Sequence, residues 1–219
     1  MGIIPTWKAN AKHWIDAIEQ NKIISRQLAT NRAIVEEVLL LQPRSVLDMG
    51  CGEGWLVRTL ATHQIQASGV DAVPAFIEYA RQKGTEQYWV ASYEDILAGA
   101  LADHFFDVIT FNFSLFEQQI TEQLLAYTPQ MLCSKGCVII QTLHPFNLPA
   151  DAPYVSHWEQ DNWQGLNDFS ETHAWYFRTI SDWVALIVSS GFRLIKIREP
   201  LHPSSMRPLS FLLVGEKIT

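Results

Sequence analysis

The chain reads as an α/β protein: a three-layer αβα sandwich around a mostly parallel, seven-stranded, Rossmann-like sheet that ends in an antiparallel C-terminal hairpin. Three observations predict it. Short apolar runs alternate with stretches of helical periodicity, the pattern of parallel strands joined by crossover helices. One of those runs leads straight into a glycine-rich turn. Two last apolar runs then follow one another near the C-terminus.

Between Ala11 and Leu41 the residues Trp14, Ile15, Ile18, Ile34, Val35, Val38 and Leu39 recur at helical spacing, and Pro43 closes the segment, so residues 1–43 are expected to form a helical N-terminal cap. Strands are predicted at Ser45–Met49, Gln66–Val70, Gln87–Ala91, Phe106–Phe113 and Cys137–Thr142. The alternation breaks over residues 144–178, which hold Pro145, Pro149 and Pro153 and the rings of Trp158, Trp163, Phe169, Trp175, Tyr176 and Phe177. A connection this long and this aromatic predicts an insert, read here as a lid over a ligand rather than a satellite core. Thr179 and Asp182 have capping-box spacing before a helix Ser181–Ser190, and Gly191 stands where a helix C-terminus favours glycine. Strands Phe192–Arg198 and Leu209–Glu216 finish a single domain over residues 1–219.

Composition narrows the function. The chain has 219 residues, 48% of them hydrophobic, enough for one substantial core. Its 16 basic and 23 acidic residues give a net charge of −7 without a basic run, which disfavours a nucleic-acid partner. Cys51, Cys133 and Cys137 have no framework spacing, and with no apolar run of membrane length the expectation is a soluble cytoplasmic protein. No His and Cys set completes a zinc pattern around Cys133 and Cys137, so no metal is expected.

The most informative stretch is Val46-Leu47-Asp48-Met49-Gly50-Cys51-Gly52-Glu53-Gly54, a strand entering a glycine turn before the helix Trp55–Thr62. Glycine allows close backbone approach, and the helix start offers free N–H groups. The next strand ends at Asp71, 17 residues beyond Gly54, where a carboxylate can accept both hydroxyls of a ribose. A dinucleotide fingerprint spaces its glycines GxGxxG to seat a pyrophosphate. Here the spacing is GxGxG and Asp48 precedes it, which suits a ligand with an ammonium group and no phosphate.

On these residues the chain resembles the class I S-adenosylmethionine (SAM) dependent methyltransferases, from about Ser45 to Lys217. Val46 to Gly54 is similar to their first motif and Gly69-Val70-Asp71 to their second. The resemblance implies SAM as cofactor and S-adenosylhomocysteine (SAH) as product. It places Asp48, Gly50 and Gly52 along the methionyl part, Asp71 at the ribose hydroxyls, and Phe111 and Asn112 beside the methionyl group at the end of the fourth strand, with Cys51 and Ala72 as further cofactor-binding residues. Where the family often carries an adenine-contacting Asp after the third strand, this chain has Ser92, whose hydroxyl would bond the adenine edge together with the Tyr93 N–H. The C-terminal pattern Tyr176-Phe177-Arg178-Thr179-Ile180 through Gly191-Phe192 to Pro208-Leu209-Ser210-Phe211 is similar, more loosely, to small-molecule members such as the quinone-biosynthesis methyltransferases.

The activity implied is methyl transfer from SAM to a small-molecule oxygen, nitrogen or carbon nucleophile, the acceptor being apolar or aromatic. His144, just past the fifth strand, is the candidate base, and Tyr176 joins it as a catalytic candidate, with His173 and Glu117 behind them. A hydrogen-bonded loop histidine is the competing reading of His144. Trp14 and Arg26 read as packing and solvated charge. An RNA or protein methyltransferase is disfavoured because Asn112-Phe113-Ser114-Leu115 replaces the Asn-Pro-Pro-Tyr or Asp-Pro-Pro-Tyr tetrad. A catalytically silent SAM-binding protein and a nicotinamide-dependent oxidoreductase are the remaining alternatives.

Overall fold

The protein is described from a computed structural model that covers residues 3–147, 152–160, 169 and 172–218. Pro149 and Trp163 of the aromatic segment lie outside the described residues. The sheet is built of β1 (Ser45–Met49), β2 (Gln66–Asp71), β3 (Gln87–Val90), β4 (Phe106–Asn112), β5 (Leu132–Thr142), β8 (Phe192–Arg198) and β9 (Phe211–Lys217), in the order β3-β2-β1-β4-β5-β9-β8. The first five strands are parallel, and β9 pairs antiparallel with both β5 and β8. This is the expected seven-stranded αβα arrangement. Before β1 come α1 (Ile4–Glu19) and α2 (Asn31–Leu40), and between the strands run α3 (Trp55–Thr62), α4 (Pro74–Lys83), α5 (Tyr93–Leu97), α6 (Gln118–Tyr127) and α7 (Ile180–Ser189). A separate hairpin, β6 (His157–Gln160) with β7 (Ala174–Phe177), lies within the aromatic segment.

Alternation along each central strand feeds both faces of the sheet. Leu47, Met49, Ile109 and Phe111 enter one buried cluster, and Val46 and Val108 enter the other. A strand buried on both faces must be apolar at nearly every position, which is why these runs lack the polar alternation of an exposed sheet. The edge strand β8 differs: it exposes Ile195 and Ile197 and directs Lys196 and Arg198 at α2. Their side chains hold the buried Glu37 carboxylate at 2.8 and 2.9 Å, tying α2 to that edge. A buried charge is tolerated only when paired in this way.

The periodicity misplaced two boundaries. α1 begins at Ile4, well before Ala11, with Pro5 in its first turn where a fixed φ favours helix initiation. Between α1 and α2 the chain forms a π-helical turn, Arg26–Thr30. β5 starts at Leu132, not Cys137, because a register shift between Phe106 and Val108 lets the strand pass the Lys135-Gly136 irregularity and resume pairing at Cys137. Thr179 does cap α7, its hydroxyl accepting from the Asp182 N–H at 3.1 Å. The Asp182 carboxylate turns instead to the Ser156 hydroxyl.

Candidate active site

β1 pairs with β2 on one side and β4 on the other, so the connections leave it in opposite directions and open a crevice at the strands' carboxyl ends. A cavity of about 290 Å³ fills that crevice. The glycine turn forms its floor. Gly50, Gly52 and Gly54 all have positive φ, at 74, 54 and 82°. At Gly50 a Cβ would stand 2.5 Å from the Ser114 Cβ and 2.8 Å from the Tyr93 hydroxyl, so a side chain there is excluded by space as well as by φ. Those neighbours are fixed: the Ser114 hydroxyl donates to the Met49 carbonyl at 2.7 Å, and the Tyr93 hydroxyl to the Ser114 carbonyl at 3.1 Å.

Two carboxyl groups border the turn. Asp48 is 2% exposed and accepts the Thr110 hydroxyl at 2.7 Å; burial pushes its pKa up to about 7. Asp71 accepts the Gly52 N–H and the Val73 N–H, each at 2.9 Å, and burial raises it to about 6 despite those bonds. One carboxylate therefore ties the end of β2 to the glycine turn. Burial also raises the Cys51 thiol, so this cysteine is an inert apolar wall. Asn112 lines the cavity with a buried Oδ1 that takes no hydrogen bond among the described residues, an acceptor left open for a ligand N–H.

Asp48, Gly50, Cys51, Gly52, Asp71, Ala72, Tyr93 and Asn112 thus come together on one cavity. Four expected residues do not line it. Phe111 is fully buried in the core beneath the floor, because the strand alternation that points Asn112 outward points its neighbour in. Ser92 is consumed by its own helix: its hydroxyl accepts the Asp95 N–H at 3.1 Å while its N–H donates to the Asp95 carboxylate at 2.8 Å, a complete capping box on α5. His144 is 6% exposed with both ring nitrogens engaged. Its Nδ1 accepts the Phe146 N–H at 2.9 Å, which leaves the proton on Nε2 to donate to Glu199 at 2.7 Å. Tyr176 sits on β7 against Trp158, with the Arg178 guanidinium 4.8 Å from its ring centre.

Sequence reasoning left out the rings of Phe76, Phe113 and Phe116 and a group of residues from the N-terminal cap. Ile3, Ile4, Trp7 and Trp14 line the cavity, and Trp7 packs 5.2 Å edge-on to Trp14 and 6.1 Å from Phe116. Arg26 lines it too, 4.6 Å over the Trp55 ring; burial lowers its pKa while the Glu53 and Asp48 carboxylates act against that shift. Pro5, a helix-start signal, was the clue that α1 reached far enough to bring Trp7 within range. Among the described residues of 144–178, none lines the cavity. The β6–β7 hairpin acts from outside, where the Tyr176 N–H donates to the Phe116 carbonyl at 2.6 Å and Arg178 donates to the Gln118 carbonyl at 2.8 Å.

Known proteins match this arrangement. Residues 21–197 match the model of a family described as a methyltransferase domain. A ubiquinone biosynthesis O-methyltransferase of Bartonella quintana is 34% identical over 120 residues, 53% of this chain and 48% of that one. A malonyl-[acyl-carrier protein] O-methyltransferase of Legionella pneumophila is 26% identical over 141 residues, 63% of this chain and 49% of its own length. The chain thus spans about half the length of these curated relatives. Among solved structures, a SAM-dependent methyltransferase of Mesorhizobium loti superposes with a TM-score of 0.61 at 18% identity, covering 83% of this chain and 97% of that one. The Burkholderia thailandensis 1,6-didemethyltoxoflavin-N1-methyltransferase, solved with bound 1,6-didemethyltoxoflavin and SAH, gives 0.66 at 15% identity over 95% and 87% of the two chains. With the family match spanning the glycine turn and all five parallel strands, the chain belongs to the class I SAM-dependent methyltransferases.

Proposed function

We propose that this chain transfers a methyl group from SAM to a small-molecule nucleophile held in the same cavity. The observation that carries the reading is the convergence of Asp48, the glycine turn, Asp71 and Asn112 on one cavity whose opposite wall is aromatic. In this reading Asp71 accepts the ribose hydroxyls, and the backbone of Gly50 and Gly52 lies along the methionyl chain. Asp48 and the open Asn112 Oδ1 face its ammonium group, and Arg26 faces its carboxylate. Tyr93 and Glu94 border the adenine, Ser92 serving only to cap α5.

SAM supplies a methyl group already activated on a sulfonium. What the chain adds is alignment, removal of water and acceptance of a proton. Trp7, Trp14, Phe76, Phe113 and Phe116 exclude water and offer ring faces to a cation. A cavity of this size walled on one side by α1 suits a small acceptor better than a polymer, and the names of the relatives, which include ubiquinone biosynthesis and 1,6-didemethyltoxoflavin, support that class. His144 holds its loop through Glu199 and Phe146; Tyr176, through its backbone, holds the loop that carries Phe116.

Calorimetric titration with SAM and SAH, with NAD as control and Asp71→Ala as the variant, tests this reading. Binding of both sulfur nucleosides, none of NAD, and at least a tenfold loss in the variant are expected. Absence of SAM and SAH binding would overturn it.

A further inference from the structure

Resting on that reading, we propose that the acceptor is an aromatic amine and that Glu117 is the residue that selects it and takes its proton. The polar groups of the cavity are distributed unevenly. Asp48, Glu53, Asp71 and Arg26 cluster around the glycine turn, where the cofactor's own charges are met, and Glu94 follows β3. Beyond the end of β4 the walls are Phe113, Phe116, Ile120, Leu143 and, from α1, Trp7. Glu117 is the ionisable side chain there among the described residues. It is half-buried, stands at the start of α6 without capping it, and its carboxylate has no hydrogen-bond or ion-pair partner among the described residues. Its position is fixed through the backbone, since Arg178 reaches the Glu117 and Gln118 carbonyls and the Tyr176 N–H reaches the Phe116 carbonyl. The hairpin thereby holds the loop while leaving the carboxylate uncommitted.

Charge decides the acceptor class. With the glycine-turn groups met by the cofactor's own charges, Glu117 is the carboxylate that faces the apolar walls, so an anionic acceptor would enter against it. The direction of charge flow points the same way. When a neutral amine nitrogen attacks, the N–CH₃ bond forms as the S–CH₃ bond breaks, the bonding pair stays on sulfur to leave SAH, and the positive charge passes from sulfur to nitrogen. A carboxylate beside that nitrogen stabilises the growing charge and then accepts the N–H proton. A phenolate would instead bring its negative charge against Glu117. The flat apolar walls suit a ring, and an aromatic amine is already neutral at neutral pH, so no prior deprotonation is needed.

The test uses three ring-matched probes, 5-aminoindole, 5-hydroxyindole and indole-5-carboxylate, titrated calorimetrically into the SAH-loaded protein, with methyl transfer from SAM measured for each. The expected result is binding of the amine about tenfold or more tighter than the carboxylate, methylation of the amine in preference to the hydroxyl, and collapse of the amine-to-carboxylate ratio to about threefold or less in Glu117→Gln with SAH affinity unchanged. The proposal is overturned if the carboxylate or the hydroxyindole binds as tightly as the amine, if none of the three binds, or if Glu117→Gln leaves the ratio as it was. Failure of the wild-type protein to bind SAH at all is a different result and removes the methyltransferase reading itself.

Discussion

The two walls of the cavity were built by different kinds of information. The glycine-turn wall is local: strand, turn and helix start are contiguous from Val46 to Trp55, and Asp71 is brought in by the adjacent strand through its bonds to Gly52 and Val73. The opposite wall is assembled at long range. Trp7, Trp14 and Arg26 arrive from the N-terminal segment, and Phe116 is positioned by a hairpin some sixty residues downstream in sequence. The comparison shows where the chemistry is rigid and where it is adjustable: a turn defined by backbone φ tolerates almost no change, while a wall of packed rings can be reshaped residue by residue.

Substitutions separate the two. Gly50→Ala should have the largest effect, because a methyl at φ 74° meets Ser114 and Tyr93 at distances no relaxed structure allows. Strain of about 1–3 kcal/mol is expected, with a fall in Tm of roughly 3–10 °C in a thermal scan and loss of measurable SAH binding. Trp14→Ala, in the long-range wall, should weaken SAH binding by roughly tenfold and lower Tm less, since the ring is only half-buried and its removal opens space without straining the backbone.

A pH titration sharpens the same contrast. Asp48 and Asp71 have folded pKa values raised from 3.8 to about 7 and about 6 by burial. Between pH 4 and 7 the folded protein therefore holds more protons than the unfolded chain, and these two groups make the unliganded protein less stable as pH rises through that window. A cationic ligand favours their ionised forms, so SAM affinity should rise with pH, by roughly tenfold between pH 5 and 7.5, with protons released on binding. Calorimetry in buffers of different ionisation enthalpy measures that release; the residues of the aromatic wall contribute nothing to it. The smallest effect on binding is expected from Ser92→Ala, which removes a cap worth about 1 kcal/mol of stability but changes SAH affinity by no more than about twofold.

What the sequence disclosed follows the same division. The existence and parallel pairing of the first five strands, the antiparallel end of the sheet and the floor of the cavity were legible because apolar runs on a doubly buried sheet and a GxGxG turn leave a continuous signature. The direction of a side chain is not written that way. His144 occupies the expected position after β5, yet the amide of Phe146 and the carboxylate of Glu199 turn both nitrogens inward. Ser92 follows β3 as expected, but Ser92-Tyr93-Glu94-Asp95 has capping-box spacing of its own, and the local bond to Asp95 wins over a distant ligand. Trp14 and Arg26 were legible as helix-face residues, while the surface they would cover depends on how α1 packs against α4 and the glycine turn, which no periodicity reports.

The central claim is that the cofactor site is shared between the glycine turn and the N-terminal segment. Amide hydrogen exchange of the whole chain, with and without SAH, tests it most directly. Slower exchange in both Gly50–Gly54 and Ile4–Glu19 on adding SAH is the expected result. Protection confined to the glycine turn, with α1 exchanging at its unliganded rate, would contradict the claim and leave the aromatic wall as packing alone.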